Sequence, residues 1–144
     1  MIDIYTNILP NLNSGPKNVE EFLEIANVLV KQGVTEVVAA PLYDGKDSSC
    51  REGVDLANEW LRKSSISLSV LPGQKVIAST NMIVSNEEYY TMTINENEKY
   101  MFLEIPQDVE IEVLESIAYE LQLKGIVPVL NEPERHSLFV ENPA

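Results

Sequence analysis

The chain is poor in the residues that most often carry metal binding and cross-linking. It has one cysteine, Cys50, so no internal disulfide or cysteine cluster can form, and one histidine, His136, which excludes a multi-histidine metal centre. Basic residues are scarce too: ten Lys and Arg stand against 23 Asp and Glu, a formal net charge of −13. A chain of that sign repels phosphate backbones and anionic headgroups, so neither nucleic acid nor a membrane surface is expected as a partner. No apolar run approaches the roughly 18 residues needed to span a bilayer. The opening Met1-Ile2-Asp3-Ile4-Tyr5 lacks the basic n-region of a signal peptide, and the expected location is the cytoplasm. What is present is ordinary globular composition, 44% hydrophobic and 23% charged in 144 residues, which suits one domain and leaves no room for a second full-sized one.

Hydrophobic periodicity predicts alternating strands and helices. Ile2 to Tyr5 is β-prone and runs into the turn-rich Pro10-Asn11-Leu12-Asn13-Ser14-Gly15-Pro16. Phe22, Leu23, Ala26, Leu29 and Val30 mark an amphipathic helix over 19–32, with Asn18 as N-cap, Glu21 at the capping-box position and Gly33 just past the end. The apolar run Glu36 to Ala40 reads as a strand covered on both faces. A second helix follows over 50–63, with Val54, Ala57, Trp60 and Leu61 in its stripe, and then a strand over 66–71. Val76 to Asn86 is open between strand, loop and short helix. Tyr90 to Ile94 and Tyr100 to Ile105, separated by Asn95-Glu96-Asn97-Glu98-Lys99, predict a β-hairpin. A helix over 108–124 stops at Gly125, and Ile126 to Leu130 is the last strand. Helix–Gly–strand joins repeated in this way imply parallel strands with right-handed crossovers.

In βα architectures the binding residues sit on loops at the carboxyl ends of the strands. Here those loops begin near Tyr5-Thr6-Asn7, Ala40-Pro41-Leu42-Tyr43, Pro72-Gly73-Gln74-Lys75, Glu104-Ile105-Pro106 and Asn131-Glu132-Pro133-Glu134-Arg135-His136. Taken together, these segments resemble the polymerase and histidinol phosphatase (PHP) superfamily, specifically the bacterial manganese-dependent protein-tyrosine phosphatases of capsule and exopolysaccharide synthesis. Asp3-Ile4-Tyr5-Thr6-Asn7-Ile8-Leu9-Pro10-Asn11-Leu12-Asn13-Ser14-Gly15 is similar to that group's Asp-Ile-His-x-His-Ile-Leu-Pro-Gly-Ile-Asp-Asp-Gly. Ala39-Ala40-Pro41-Leu42-Tyr43 resembles Ala-Thr-Pro-His-His, and Leu71-Pro72-Gly73-Gln74-Lys75 resembles Leu-Pro-Gly-Gln-Glu. Pro128-Val129-Leu130-Asn131-Glu132-Pro133-Glu134-Arg135 resembles Pro-x-Leu-Ala-His-Pro-Glu-Arg. The resemblance runs over essentially the whole chain.

It implies an α/β fold in one shortened domain over 1–144. The expected form is an incomplete PHP-type (β/α) barrel or a curved, mostly parallel sheet with flanking helices and the hairpin. A closed barrel takes about 200 residues or more, and exposed strand edges would favour a homo-oligomer. The resemblance also implies that the family's metal-ligand positions are held here by Tyr5, Asn7, Asn13, Leu42, Lys75 and Glu132. Manganese and similar divalent ions need imidazole and carboxylate, and a lysine where a metal-bridging glutamate belongs repels them. No metal cofactor is therefore expected. Glu132 either pairs with Lys75 or is an ordinary surface acid. Arg135, by resemblance a phosphate contact, either keeps anion affinity or pairs with Glu134 or Glu104. His136 reads as a surface or packing histidine and Cys50 as unreactive. The tyrosines Tyr89 and Tyr90, beside Glu87 and Glu88, read as packing on the hairpin.

The functional expectation is a catalytically degenerate tyrosine-phosphatase homologue that binds a partner, such as a tyrosine kinase of polysaccharide synthesis, or assembles with itself. The alternative is an altered phosphoesterase built on Arg135, Glu132 and Tyr5, and a third reading is a remnant without function.

Overall fold

A computed structural model of the chain describes residues 1–12, 14–43, 48–79 and 89–141. The chain divides into two compact units, Met1–Gln74 and Lys75–Ala144. In the first, strands β1 (Ile2–Thr6), β2 (Glu36–Ala39) and β3 (Ser69–Leu71) pair in parallel in the order β1-β2-β3. Helices α1 (Val19–Lys31) and α2 (Ser48–Lys63) connect them.

Local sequence explains where α1 begins and ends. The Asn18 side chain accepts a 2.8 Å hydrogen bond from the Glu21 N–H, and the Glu21 carboxylate reaches back to accept one of 2.8 Å from Lys17 N–H. The reciprocal capping box forms, with its second bond one residue further out than the standard pattern. At the other end Gly33 adopts φ +84°, its N–H donates to Val30 O, and Val34 N–H donates to Leu29 O. These bonds satisfy terminal carbonyls and turn the chain into β2. The same pair of bonds closes α2, but there the left-handed position is held by Ser65 at φ 55°. The buried core of this unit includes Ile8, Leu9, Phe22, Ala26, Val37, Ala57 and Leu61, with Trp60 set edge-on to Phe22 at 6.0 Å between ring centroids.

In the second unit β4 (Lys75–Ile77), β5 (Tyr100–Glu104) and β6 (Val127–Leu130) are also parallel, in the order β4-β5-β6. Helix α3 (Ile111–Leu123) lies between β5 and β6 in sequence and buries Leu114, Ile117 and Leu121. It ends at Gly125, φ +79°, through the same bonds as α1. A short helix α4 (Ser137–Glu141) follows β6.

The mixed α/β, parallel architecture expected from the sequence is present, and among the described residues no closed barrel is found. The β-hairpin is not. Tyr89–Met92 and Ile94–Glu96 are 3-10 turns, and Tyr100–Glu104 is the central strand of a parallel sheet. Both edges of β5 are taken by β4 and β6, which leaves no backbone groups for an antiparallel partner. The apolar alternation over 90–94 was misleading because Thr91, Met92 and Thr93 are buried consecutively. Asn95, Glu96 and Glu98 have left-handed φ values, and Thr93 Oγ1 accepts from Glu98 N–H at 3.0 Å, fixing a coiled connection. Residues 80–86, where the sequence left the structure open, lie outside the described residues, as do Glu87 and Glu88.

Candidate functional site

The carboxyl ends of β5 and β6 carry a polar cavity of about 240 Å³ lined by Glu104, Ile105, Gln107, Asn131, Glu132, Arg135 and His136. Strand register brings these residues together. Leu103 pairs with Leu130, and Asn131 N–H continues the ladder to Leu103 O at 2.9 Å, so Glu104 and Asn131 leave adjacent strands at one level. Asn131 Nδ2 donates a 2.7 Å hydrogen bond to Glu104 Oε2. The ammonium of Lys75 lies 3.9 Å from the same oxygen, its side chain 13% exposed against 41% for Glu104. Lys75 opens β4, two residues before Ile77, the register partner of Glu104. That offset is about 7 Å along a strand, close to the reach of an extended lysine stem.

Glu132 follows at φ 43°, a left-handed conformation at the mouth of the 3-10 turn Pro133–Arg135. Its carboxylate takes the Arg135 guanidinium at 3.2 Å, on side chains 43% and 73% exposed. The pairing of Glu132 with Lys75 raised by the sequence is therefore replaced by two others, Lys75 with Glu104 and Arg135 with Glu132. The reason is local: Arg135 sits one turn beyond Glu132, whereas the ammonium of Lys75 is delivered along β4 to the end of β5. Arg135 likewise pairs with neither Glu134 nor Glu104 in the ion pairs found among the described residues.

His136 is 3% exposed and packs, as one of the sequence readings had it. Its Nε2 lies 2.8 Å from Pro106 O, and since a carbonyl only accepts, Nε2 carries the proton. The ring meets Phe139 edge-on at 6.2 Å. Sequence reasoning had not singled out Glu104, Gln107 or Asn131 as site residues. The signal for the first and last was the strand-end rule itself, since both open loops at carboxyl ends.

The remaining candidates belong to the first unit. Tyr5 lies on β1, and its N–H donates to Asp3 Oδ1 at 3.1 Å. Asn7 follows the strand and donates from Nδ2 to Ser14 Oγ at 2.9 Å. Among the described residues, Asn7 Oδ1 and Thr6 Oγ1 are enclosed without a hydrogen-bond partner. Leu42 is half-buried beyond β2, and Asn13 lies outside the described residues. Cys50 is buried in α2, with its thiol 3.3 Å from Gly73 O. Among the described residues no group of three or more His, Cys, Asp or Glu side chains is placed to hold a metal ion, and no helix is long and apolar enough to cross a membrane.

Comparison with known proteins places this geometry. The family model for capsular polysaccharide synthesis, CpsB/CapC, matches residues 1–144. The chain is 34% identical over 149 residues to the tyrosine-protein phosphatase YwqE of Bacillus subtilis, covering 100% of this chain and 58% of that protein. It is 29% identical over 147 residues to the putative tyrosine-protein phosphatase CapC of Staphylococcus aureus, covering 99% and 57%. A chain from the crystal structures of YwqE from Bacillus subtilis and CpsB from Streptococcus pneumoniae, described as unique metal-dependent tyrosine phosphatases, superposes with a TM-score of 0.89 at 33% identity. That match covers 99% of this chain and 60% of the other. The chain thus spans less than two thirds of the length of these relatives.

Proposed function

The chain belongs to the CpsB/CapC family of capsular polysaccharide synthesis, and from that premise we propose that it is a catalytically degenerate member, a pseudo-phosphatase that acts by binding or self-assembly rather than by turnover. Of the relatives named above, YwqE and the Streptococcus pneumoniae CpsB are described as metal-dependent tyrosine phosphatases. A metal-dependent phosphatase uses its ions to polarise phosphate and lower the pKa of the attacking water. Holding such ions requires anionic oxygen or imidazole nitrogen.

The residues present do not fit that requirement. At the positions where the resemblance puts ligands, Tyr5, Asn7, Asn13 and Leu42 bring a phenol, two amides and an aliphatic chain, and Lys75 brings a cation. Thr6 Oγ1 and Asn7 Oδ1, enclosed without a partner among the described residues, are neutral oxygens, which supply no charge to balance a divalent ion. Glu132, the one carboxylate of the set, already faces the Arg135 guanidinium. The observation that carries the reading is Lys75. Its ammonium stands 3.9 Å from Glu104 Oε2, so the acid at the strand end is balanced by the protein's own cation.

One feature supports a binding role. Among the described residues, strand β1 is an outer strand of its sheet and exposes Ile2 at 54% and Ile4 at 52%. An outer strand with apolar side chains is a template for pairing with another chain. We place the partner in one of two classes, a second copy of this chain or a tyrosine kinase of polysaccharide synthesis. Arg135 favours a narrower second reading, an altered phosphoesterase, because its exposed guanidinium at the cavity can still meet an anion.

Hydrolysis of an aryl phosphate by the full chain, with and without added manganese, tests the proposal. The expected result is no turnover above buffer in either condition. Manganese-dependent turnover lost in Glu132→Ala overturns it, and metal-independent turnover lost in Arg135→Ala establishes the second reading instead. Sedimentation over a range of concentrations tests self-assembly, which a monomer at every concentration contradicts.

A further inference from the structure

Among the described residues each sheet has two outer strands, and three of these four edges are guarded. In β3, Ser69 N–H turns to Thr35 O on the β2 side at 3.1 Å, so the next residue, Val70, turns its peptide groups outward. A side chain from α2 closes them: Asn58 Nδ2 donates to Val70 O at 2.8 Å, and Asn58 Oδ1 accepts from Val70 N–H at 2.9 Å. The carboxamide stands where a further strand's peptide group would stand. In β6, the N–H groups of Val127 and Asn131 turn to Lys99 O and Leu103 O on the β5 side, so Pro128 turns outward, and it has no N–H to offer. Strand β4 is only three residues long and opens on Lys75. Short length and an edge lysine both discourage pairing.

Strand β1 carries none of these guards. Met1 O accepts Thr35 N–H at 2.9 Å and Thr6 O accepts Ala40 N–H at 3.0 Å, which fastens both ends of the strand to the β2 side. Between them Ile2 and Ile4 turn outward, with side chains 54% and 52% exposed. The register shifts between Asp3 and Thr6, where Asp3 Oδ1 accepts Tyr5 N–H at 3.1 Å, so the open row runs from Ile2 to Ile4. The row is held extended before any partner arrives, which lowers the ordering cost of docking.

A row of alternating N–H and C=O is met by an extended polypeptide, which adds to the sheet as one more strand. Charge narrows the choice of polypeptide. Successive side chains point to opposite faces, so Asp3 lies on the face opposite Ile2 and Ile4. Among the described residues neither Asp3 nor Glu36, the register partner of Ile2, takes an ion pair. The whole chain carries −13. A segment in which apolar residues alternate with Lys or Arg sets its apolar groups beside the isoleucines and its cations beside Asp3. A second copy of this chain brings another −13 to the same edge and is repelled.

We propose that the open edge of β1 docks an extended basic segment of a partner protein, which joins β1-β2-β3 as a further strand. The inference rests on the reading of the chain as a binding protein, and it narrows that reading to a cationic strand donor at a named edge.

The probe is a short capped peptide of alternating Lys and Val, titrated into the isotope-labelled full chain and followed by nuclear magnetic resonance. Exchange of the Ile2 and Ile4 amide protons should slow at least about tenfold in the complex, equivalent to about 1.4 kcal/mol of protection. The same peptide N-methylated at alternate residues keeps its charge and side chains but loses backbone donors, and should bind at least about tenfold more weakly. A peptide with Glu in place of Lys should not bind. Asp3→Asn, which keeps the oxygen that accepts Tyr5 N–H and removes the charge, should weaken binding several-fold. Ile4→Lys, which gives β1 the guard that β4 has, should abolish it, with circular dichroism to confirm folding. If Ile4→Lys fails to fold, the N-methylated peptide carries the test of the edge.

No binding of the Lys-Val peptide, binding without protection of Ile2 and Ile4, or equal binding of the N-methylated or acidic peptide overturns the inference. Unchanged binding in Asp3→Asn also overturns it, as does protection of the two amides by raising the concentration of the chain alone, which would seat a second copy there. None of these readouts depends on phosphatase activity, so turnover of an aryl phosphate overturns the pseudo-phosphatase reading while the peptide titration decides the edge.

Discussion

Glu104→Ala removes the one oxygen shared by Lys75 and Asn131. At 3.9 Å the gross attraction between the ammonium and the carboxylate is about 4 kcal/mol at an effective dielectric of about 20. Most of it is returned as desolvation of the lysine and as solvent screening at Glu104, which is 41% exposed, so about 1 kcal/mol survives. The amide bond from Asn131, 2.7 Å to a charged acceptor, adds about 1.5 kcal/mol before screening. The expected loss is about 2 kcal/mol, measured by urea denaturation followed by far-UV circular dichroism. A double-mutant cycle with Lys75→Met separates the two contributions and should return a coupling of about 1 kcal/mol. A loss under about 0.5 kcal/mol, the size of an ordinary surface substitution, or no coupling to Lys75, would refute the charge-balance argument.

Two further predictions concern the first unit. Phe22→Ala empties a fully buried position beside Trp60 and should cost about 3–5 kcal/mol. Urea denaturation followed by the fluorescence of the chain's single tryptophan reads it, and a cost below about 1 kcal/mol contradicts the packing described. A methyl group at Gly15 would lie 2.2 Å from Leu9 O, whereas at Gly33 it would meet nothing within 4 Å and carry only the strain of φ +84°. Gly15→Ala should therefore lower the thermal midpoint by clearly more than Gly33→Ala, whose cost is about 1 kcal/mol, and the reverse order contradicts the turn geometry.

Local signals were readable wherever one residue decides the backbone. Asn18 with Glu21, and the two glycines Gly33 and Gly125, mark their helix ends because each supplies a bond or a φ value that few other residues supply. The end of α2 at Lys63 falls where the hydrophobic stripe places it, although Ser65 and not a glycine holds the left-handed position there. Period-two alternation failed over 90–94 for a non-local reason: it cannot report that β4 and β6 have already claimed both edges of β5. The strand-end rule puts Lys75, Glu132 and Arg135 on loops after strands; Glu132 and Arg135 do follow β6, whereas Lys75 is the first residue of β4. Which acid meets which base was beyond it, since the partner of Lys75 is set by β4–β5 register and that of Arg135 by a single 3-10 turn. The burial of His136 depends on a hydrogen bond to Pro106 O, thirty residues away in sequence, which no local pattern encodes.

The account is tested most directly by the metal content of the full, unsubstituted chain after equilibrium dialysis against manganese and removal of the loosely held ion. A site furnished with an ammonium, amides and a guanidinium-paired acid should retain far less than one manganese per chain. Retention of one or more, lost on substitution of Glu132, would contradict it.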